Sequence, residues 1–287
     1  MSSYAHPEIL IETNAVAENP TREGTRVVEV DYDPTLNYEQ GHIPGSVLFD
    51  WKKDINNPVE RDIVSKEKFE ALLGGAGISN DTNVILYGDF NNWFAAFAFW
   101  VFKVYGHEKV QIMNGGRKKW IDEDRPLPKD VPSYPSAQYT AKPADDEIRA
   151  YYDDVKNSLN QPGNGLVDVR GPKEFSGEIL APAEYPTEHA QRGGHIPGAQ
   201  NIPWAQAVNE NGTFRSVEEL KVLYEPKGIT GDKNLIAYCR IGERSSHTWV
   251  VLKYLLGYPK VKNYDASWTE WGNMLRNPIE KEQFSRN

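Results

Sequence analysis

The chain has 287 residues, with 32 Lys and Arg against 41 Asp and Glu, a formal net charge of −9, and 39% hydrophobic residues. This balance lacks the cationic surplus that binding a phosphate backbone demands, so nucleic acid is not an expected partner. The single cysteine, Cys239, excludes a disulfide framework and any cysteine-rich metal or iron–sulfur centre, and suits a reducing cytosol.

The length is about twice the commonest domain size, so two domains are expected. The opening residues, MSSYAHPEILIETNAVAENP, show no basic stretch followed by a long apolar one, and a cytoplasmic location is expected. Along the first half, β-rich runs (VVEV at 27–30, NVILYG at 83–88, KVQIMNG at 109–115) alternate with helical patterns (KEKFEALL at 66–73 and the apolar run Trp93 to Val104). That apolar run contains Lys103 and falls short of the ~20 residues that span a bilayer, so it reads as a buried helix and no membrane role is expected. From Asp122 to Glu147 prolines stand at 126, 128, 132, 135 and 143, which predicts an extended connector. The second half repeats the alternation: GLVDV at 165–169, SVEELKVLY at 216–224, NLIAYC at 234–239, HTWVVLKYLLG at 247–257 and KVKNYDA at 260–266.

The halves are copies. Gly41-His42-Ile43-Pro44-Gly45 recurs as Gly194-His195-Ile196-Pro197-Gly198, an offset of 153, whereas the strand-end acids Asp31 and Asp168 are offset by 137. Sixteen more residues therefore separate these landmarks in the second half. Downstream, Gly77, Tyr87 and Trp120 match Gly228, Tyr238 and Trp271 at a constant offset of 151. The expected fold is α/β, with two tandem domains, each a mainly parallel sheet with helices on both faces. The expected boundaries are 1–124 for a non-catalytic domain, 125–146 for the linker and 147–287 for a catalytic domain.

The chemistry concentrates in Cys239-Arg240-Ile241-Gly242-Glu243-Arg244, a tight polar loop between a strand and a helix. Open parallel sheets place ligands at the carboxyl ends of their strands, where Cys239 falls. Ser245 or Ser246 is a candidate N-cap, which would turn free N–H groups toward the sulfur; with Arg240 and Arg244 this favours a thiolate and an anion beside it. The first half has Gly88 for the cysteine, Asp89 for Arg240 and Trp93 for Arg244, so it keeps the scaffold without the chemistry.

With the duplicated GHIPG, the Asp-Val-Arg at 168–170, the degenerate first loop and Cys239-Arg-Ile-Gly-Glu-Arg244, the chain resembles the two-domain rhodanese-like sulfurtransferases from about Ala15 to Leu275, and CRIGERSSHTW is similar to the active loop of thiosulfate sulfurtransferases of actinobacterial type. The resemblance implies a ping-pong reaction. Cys239 takes sulfane sulfur from thiosulfate as a persulfide, releases sulfite and passes the sulfur to cyanide, a thiol or a sulfur-acceptor protein. Arg244 is then a substrate contact and Arg240 an electrostatic helper, with Ile241, Gly242 and Glu243 completing the substrate loop. No metal or organic cofactor is implied. Relatives that use 3-mercaptopyruvate carry a small uncharged residue after the cysteine, so Arg240 and Arg244 favour thiosulfate. Other lineages place an anion-binding arginine just beyond the Asp-x-Arg motif. Here that region is Gly171-Pro172-Lys173-Glu174-Phe175, where Lys173 can substitute and Glu174 would repel an anion if it faced the site.

Two rival readings remain. Cysteine phosphatases and arsenate reductases place arginine six positions after cysteine; here position 245 is serine and the loop is one residue short. A non-catalytic binding module is the other. His42 and His195 occur in both copies, one of which lacks the cysteine, so a structural role is expected, and no Cys/His spacing supports zinc. His247 reads as a helix-surface residue, Asp168 and Arg170 as a local pair, and Trp93, Trp100, Trp249, Trp268 and Trp271 as core or domain-interface packing. Residues 265–268 are a candidate second wall, and the insertion Ser176 to Arg192 a functional loop beside the site at the domain interface.

Overall fold

A computed structural model describes residues 3–182 and 189–281. Two compact units emerge, one formed by Pro7–Asp145 with Val208–Phe214, the other by the rest of the chain.

In the first unit the elements are β1 (Leu10–Glu12), α1 (Thr13–Glu18), β2 (Thr25–Asp31), β3 (Val47–Asp50), α2 (Lys66–Gly75), β4 (Asn83–Tyr87), α3 (Trp93–Val104), β5 (Val110–Asn114) and α4 (Gly116–Asp122). The strands form one sheet in the order β1-β5-β4-β2-β3, and every pairing is parallel. Val84, Ile85, Leu86 and Tyr87 are buried one after another, so both faces of the sheet are covered, as crossover helices require. α3 is apolar all round and buried except at Lys103, as its sequence predicted. The proline-rich segment runs without helix or strand and is held by backbone bonds such as Ala137 N–H to the Gly74 carbonyl, 2.9 Å. The arm Val208–Phe214 closes on itself by a Val208–Phe214 bridge, and its Phe214 N–H donates to Asn114 Oδ1 at 3.1 Å.

The second unit contains α5 (Tyr152–Ser158), β6 (Asn164–Asp168), α6 (Pro172–Ser176), β7 (Gln200–Asn201), α7 (Val217–Tyr224), β8 (Asn234–Tyr238), α8 (Glu243–Val250), β9 (Val261–Tyr264) and α9 (Ser267–Asn273). Its sheet, again all parallel, has the order β7-β6-β8-β9. The register pairs Asp168 with Tyr238 and Tyr238 with Tyr264, so three strands end level and Cys239 emerges at their common carboxyl edge. Buried Tyr238, Tyr264, Trp268 and Trp271 form the core beneath that edge.

The duplicated motifs repeat their contacts. Ile43 N–H donates to Tyr87 Oη at 3.0 Å, and Ile196 N–H to Tyr238 Oη at 3.1 Å. His42 stacks on Tyr38 and bonds its carbonyl through Nδ1; His195 does the same on Phe175. The partner lies four residues before His42 and twenty before His195, so the pair is kept although sixteen more residues separate its members in the second copy. Both histidines hold turns, as expected.

Candidate active site

The cysteine loop begins where β8 ends. Cys239 is completely buried, its N–H donating to Ser267 Oγ at 3.0 Å and its carbonyl accepting from Trp268 N–H at 3.2 Å. The segment 265–268, a candidate wall in the sequence, thus grips the cysteine backbone at the start of α9. Four residues complete the turn. The Gly242 N–H reaches the Cys239 sulfur at 3.1 Å, and Cys239 Sγ donates to Glu243 Oε2 at 3.4 Å. The helix starts one turn earlier than the serines predicted: Gly242, at φ 100°, is the N-cap of α8, and the Ser245 and Ser246 hydroxyls donate back to its carbonyl at 3.1 and 2.7 Å. A glycine is required because this backbone is left-handed and a Cβ would lie 2.9 Å from Asp265 Cα. Asp265 is itself fixed by a two-point pair with Arg149, at 3.0 and 2.9 Å.

Electrostatics differ from the expectation of a ready thiolate. Burial pushes the Cys239 thiol up, Glu243 pushes it further, and Arg244 with the Ser245 hydroxyl and N–H opposes both. Desolvation of a fully enclosed sulfur outweighs nearby donors, and the helping cation is already matched. Arg244 Nη1 and Nη2 bind Glu174 Oε2 and Oε1 at 2.9 and 3.1 Å, and Arg244 Nε lies 3.5 Å from Glu243 Oε1. Burial alone would raise the Glu174 carboxyl, but Arg244 holds it below its ordinary value. Of the two candidates in α6, then, Glu174 turns inward, while Lys173 is exposed and pairs with Glu178. Arg240 and Ile241 are buried in the loop, and the Arg240 carbonyl accepts from Thr269 N–H at 3.1 Å.

Asp168 and Arg170 form the expected local pair, with Arg170 Nη2 2.6 Å from Asp168 Oδ2 and 2.7 Å from the Gly194 carbonyl. His247 is not on a surface: it is buried edge-on to Trp204, and desolvation lowers it to about 3. Of the insertion 176–192, residues 183–188 lie outside the described residues. Its final residue, Arg192, accepts the Trp268 indole N–H at 3.0 Å and donates to the Gly272 carbonyl at 2.9 Å, which ties that end to α9. Among the described residues no group of three or more His, Cys, Asp or Glu could hold a metal ion, and no helix is long and apolar enough to cross a membrane.

In the first unit the equivalent loop takes three successive left-handed residues, Phe90, Asn91 and Asn92, and a Cβ on Gly88 would lie 2.6 Å from the Val30 carbonyl oxygen. A side chain at the cysteine position has no room there.

Comparison with known proteins agrees with this geometry. The model of the rhodanese-like domain matches residues 13–123 and 152–274. The chain is 57% identical to the "Sulfur carrier protein TtuD" of Thermus thermophilus, over 97% of this chain and 98% of that one. It is 56% identical to the "Putative thiosulfate sulfurtransferase" of Haloferax volcanii, over 89% and 88%. Among solved structures, EanB with ergothioneine covalently linked to a persulfide cysteine superposes with a TM-score of 0.85 at 25% identity, covering 99% of this chain and 72% of that one. Two matched segments, two parallel-sheet units and a cysteine loop in only the second make this chain a member of the rhodanese-like sulfurtransferase family.

Proposed function

We propose that the chain is a thiosulfate sulfurtransferase in which Cys239 carries the transferred sulfur as a persulfide. The observation that carries this reading is the sulfur itself, buried at the strand edge, accepting the Gly242 N–H at 3.1 Å within a loop bearing two arginines. Attack on the outer sulfur of thiosulfate forms the Cys239 S–S bond and breaks the donor's S–S bond, whose electron pair leaves with sulfite. Charge then grows on the terminal persulfide sulfur and on sulfite, where a preorganised N–H and the Arg244 guanidinium stabilise it without reorganising. Cyanide or a thiol removes the sulfur. A sulfur-acceptor protein is a second acceptor, favoured by the relative named a sulfur carrier.

The test is intact-protein mass spectrometry after thiosulfate, then after cyanide, with Cys239→Ser alongside. The expected result is a gain of one sulfur atom that cyanide removes and that the variant lacks. A gain with 3-mercaptopyruvate alone would transfer the assignment to that donor. No gain with either would overturn the sulfurtransferase reading and restore the phosphatase and binding-module alternatives.

A further inference from the structure

Glu243 is an acid enclosed beside a thiol. Its side chain is 3% exposed, and a carboxylate so placed is costly unless each oxygen is engaged. Both are: Oε2 receives the Cys239 Sγ–H at 3.4 Å, and Oε1 lies 3.5 Å from Arg244 Nε. The first unit supplies a control. There the equivalent residue is Asn92, whose amide oxygen accepts Gly88 N–H at 3.0 Å and whose amide nitrogen donates to the Met113 carbonyl at 2.8 Å. Holding the loop needs only an amide; the acid stands where there is a thiol.

We propose that Glu243 is the proton acceptor of Cys239 and stores the thiol proton between the two half-reactions. The inference rests on the persulfide reading above. In the first half-reaction the Cys239 thiol, the Glu243 carboxylate and thiosulfate become an anionic persulfide, a protonated Glu243 and sulfite. In the second, cyanide takes the terminal sulfur as thiocyanate, and Glu243 returns its proton to the cysteine sulfur. Charge and protons balance in each step without an outside acid or base. The other charged groups around the loop are engaged elsewhere: Glu174 of α6 with Arg244, Asp265 with Arg149, and Asp168 with Arg170. Arg240 lies within the loop, and His247 of α8 is held neutral by burial. A carboxylate in the first turn of α8 also meets the positive end of that helix.

The experiment measures persulfide formation from thiosulfate by rapid quench and intact mass across acid to alkaline pH in wild type, Glu243→Gln and Glu243→Asp. It is paired with ultraviolet titration of the thiolate, blanked on Cys239→Ser. Wild type should form persulfide at a rate nearly flat through neutral pH, because the proton moves within the pair. Glu243→Gln should be about a hundredfold slower at neutral pH and climb steadily with pH, and Glu243→Asp should recover part of the rate with the flat profile. The thiol of Glu243→Gln should titrate at lower pH, since an anionic neighbour has gone, and its persulfide formation should follow that titration, whereas wild type should form persulfide well below its own thiol midpoint. A Glu243→Gln enzyme as fast as wild type, or with the same pH profile, would overturn the proposal. If wild type gains no sulfur, the persulfide reading fails; the titration then stands alone, and an unmoved thiol midpoint in Glu243→Gln uncouples Glu243 from the sulfur. Should Glu243→Gln not fold, Glu243→Asp carries the test: loss of the flat profile there counts against the proposal.

Discussion

At the scale of single residues the decisive contact is Glu174 with Arg244. From the sequence Glu174 had two readings, an outward acid or a repulsive one facing the site, because α6 is only five residues long and its pattern does not set which face is buried. The structure turns it inward, and its repulsion is spent on a guanidinium bound at two points. On the proposed reading, an incoming thiosulfate dianion competes with a resident carboxylate for Arg244. Glu174→Gln should lower KM for thiosulfate about tenfold, ~1.4 kcal/mol, in steady-state thiosulfate:cyanide assays. It should also cost about 3 kcal/mol of stability, because the buried cation loses half its partner. An unchanged or raised KM would remove Arg244 from the anion's path. The Glu174 carboxyl lies below its ordinary value in the folded chain, so its contribution is present near neutral pH and is lost as pH falls through that lowered value.

At the scale of elements, the β-runs and the helical patterns at 66–73, 93–104 and 216–224 were visible as periodicity and recur in the structure near those residues, while β1, α1, β3, α4, α5, α6, β7 and α9 were too short to show a period. The start of α8 was misplaced for a definite reason. Two serines advertise an N-cap, but the chain caps with Gly242 because only a residue without Cβ can turn left-handed against Asp265. Gly242→Ala should therefore destabilise the chain by about 1–3 kcal/mol and sharply slow sulfur transfer, since the same N–H that would be displaced points at Cys239. Denaturant unfolding and the mass assay check the two effects separately; wild-type values in both would show that the loop tolerates a side chain there.

At the scale of the whole molecule, duplication has produced two sheets of the same order of pairing with opposite chemistry at equivalent loops. The second carries a thiol and arginines; the first carries Asp89 in place of Arg240, close to Asp31. Burial first, then the Asp31 charge, pushes Asp89 up to about 7, and burial pushes Asp31 up to about 7 as well. Both folded-state values lie above the ordinary 3.8, so the folded chain binds protons that the unfolded chain releases, and stability falls as pH rises from about 4 to about 7. Asp89→Asn should raise the melting temperature at pH above 7 and leave it nearly unchanged near pH 4. Equal shifts at both values would contradict the assignment.

The sequence alone determined the tandem repeat, the α/β class, the strand-to-helix position of Cys239 and the absence of a cysteine from the first copy, because these depend on residue types at fixed spacings within one stretch of chain. Only the tertiary structure decided the burial and the partners of that cysteine. Glu174 and Arg244 stand 70 residues apart, Cys239 and Ser267 stand 28 apart, and the burial that pushes the thiol up is a property of packed surfaces. Local pattern records which groups a loop contains; desolvation and ion pairing depend on what the rest of the fold brings against it.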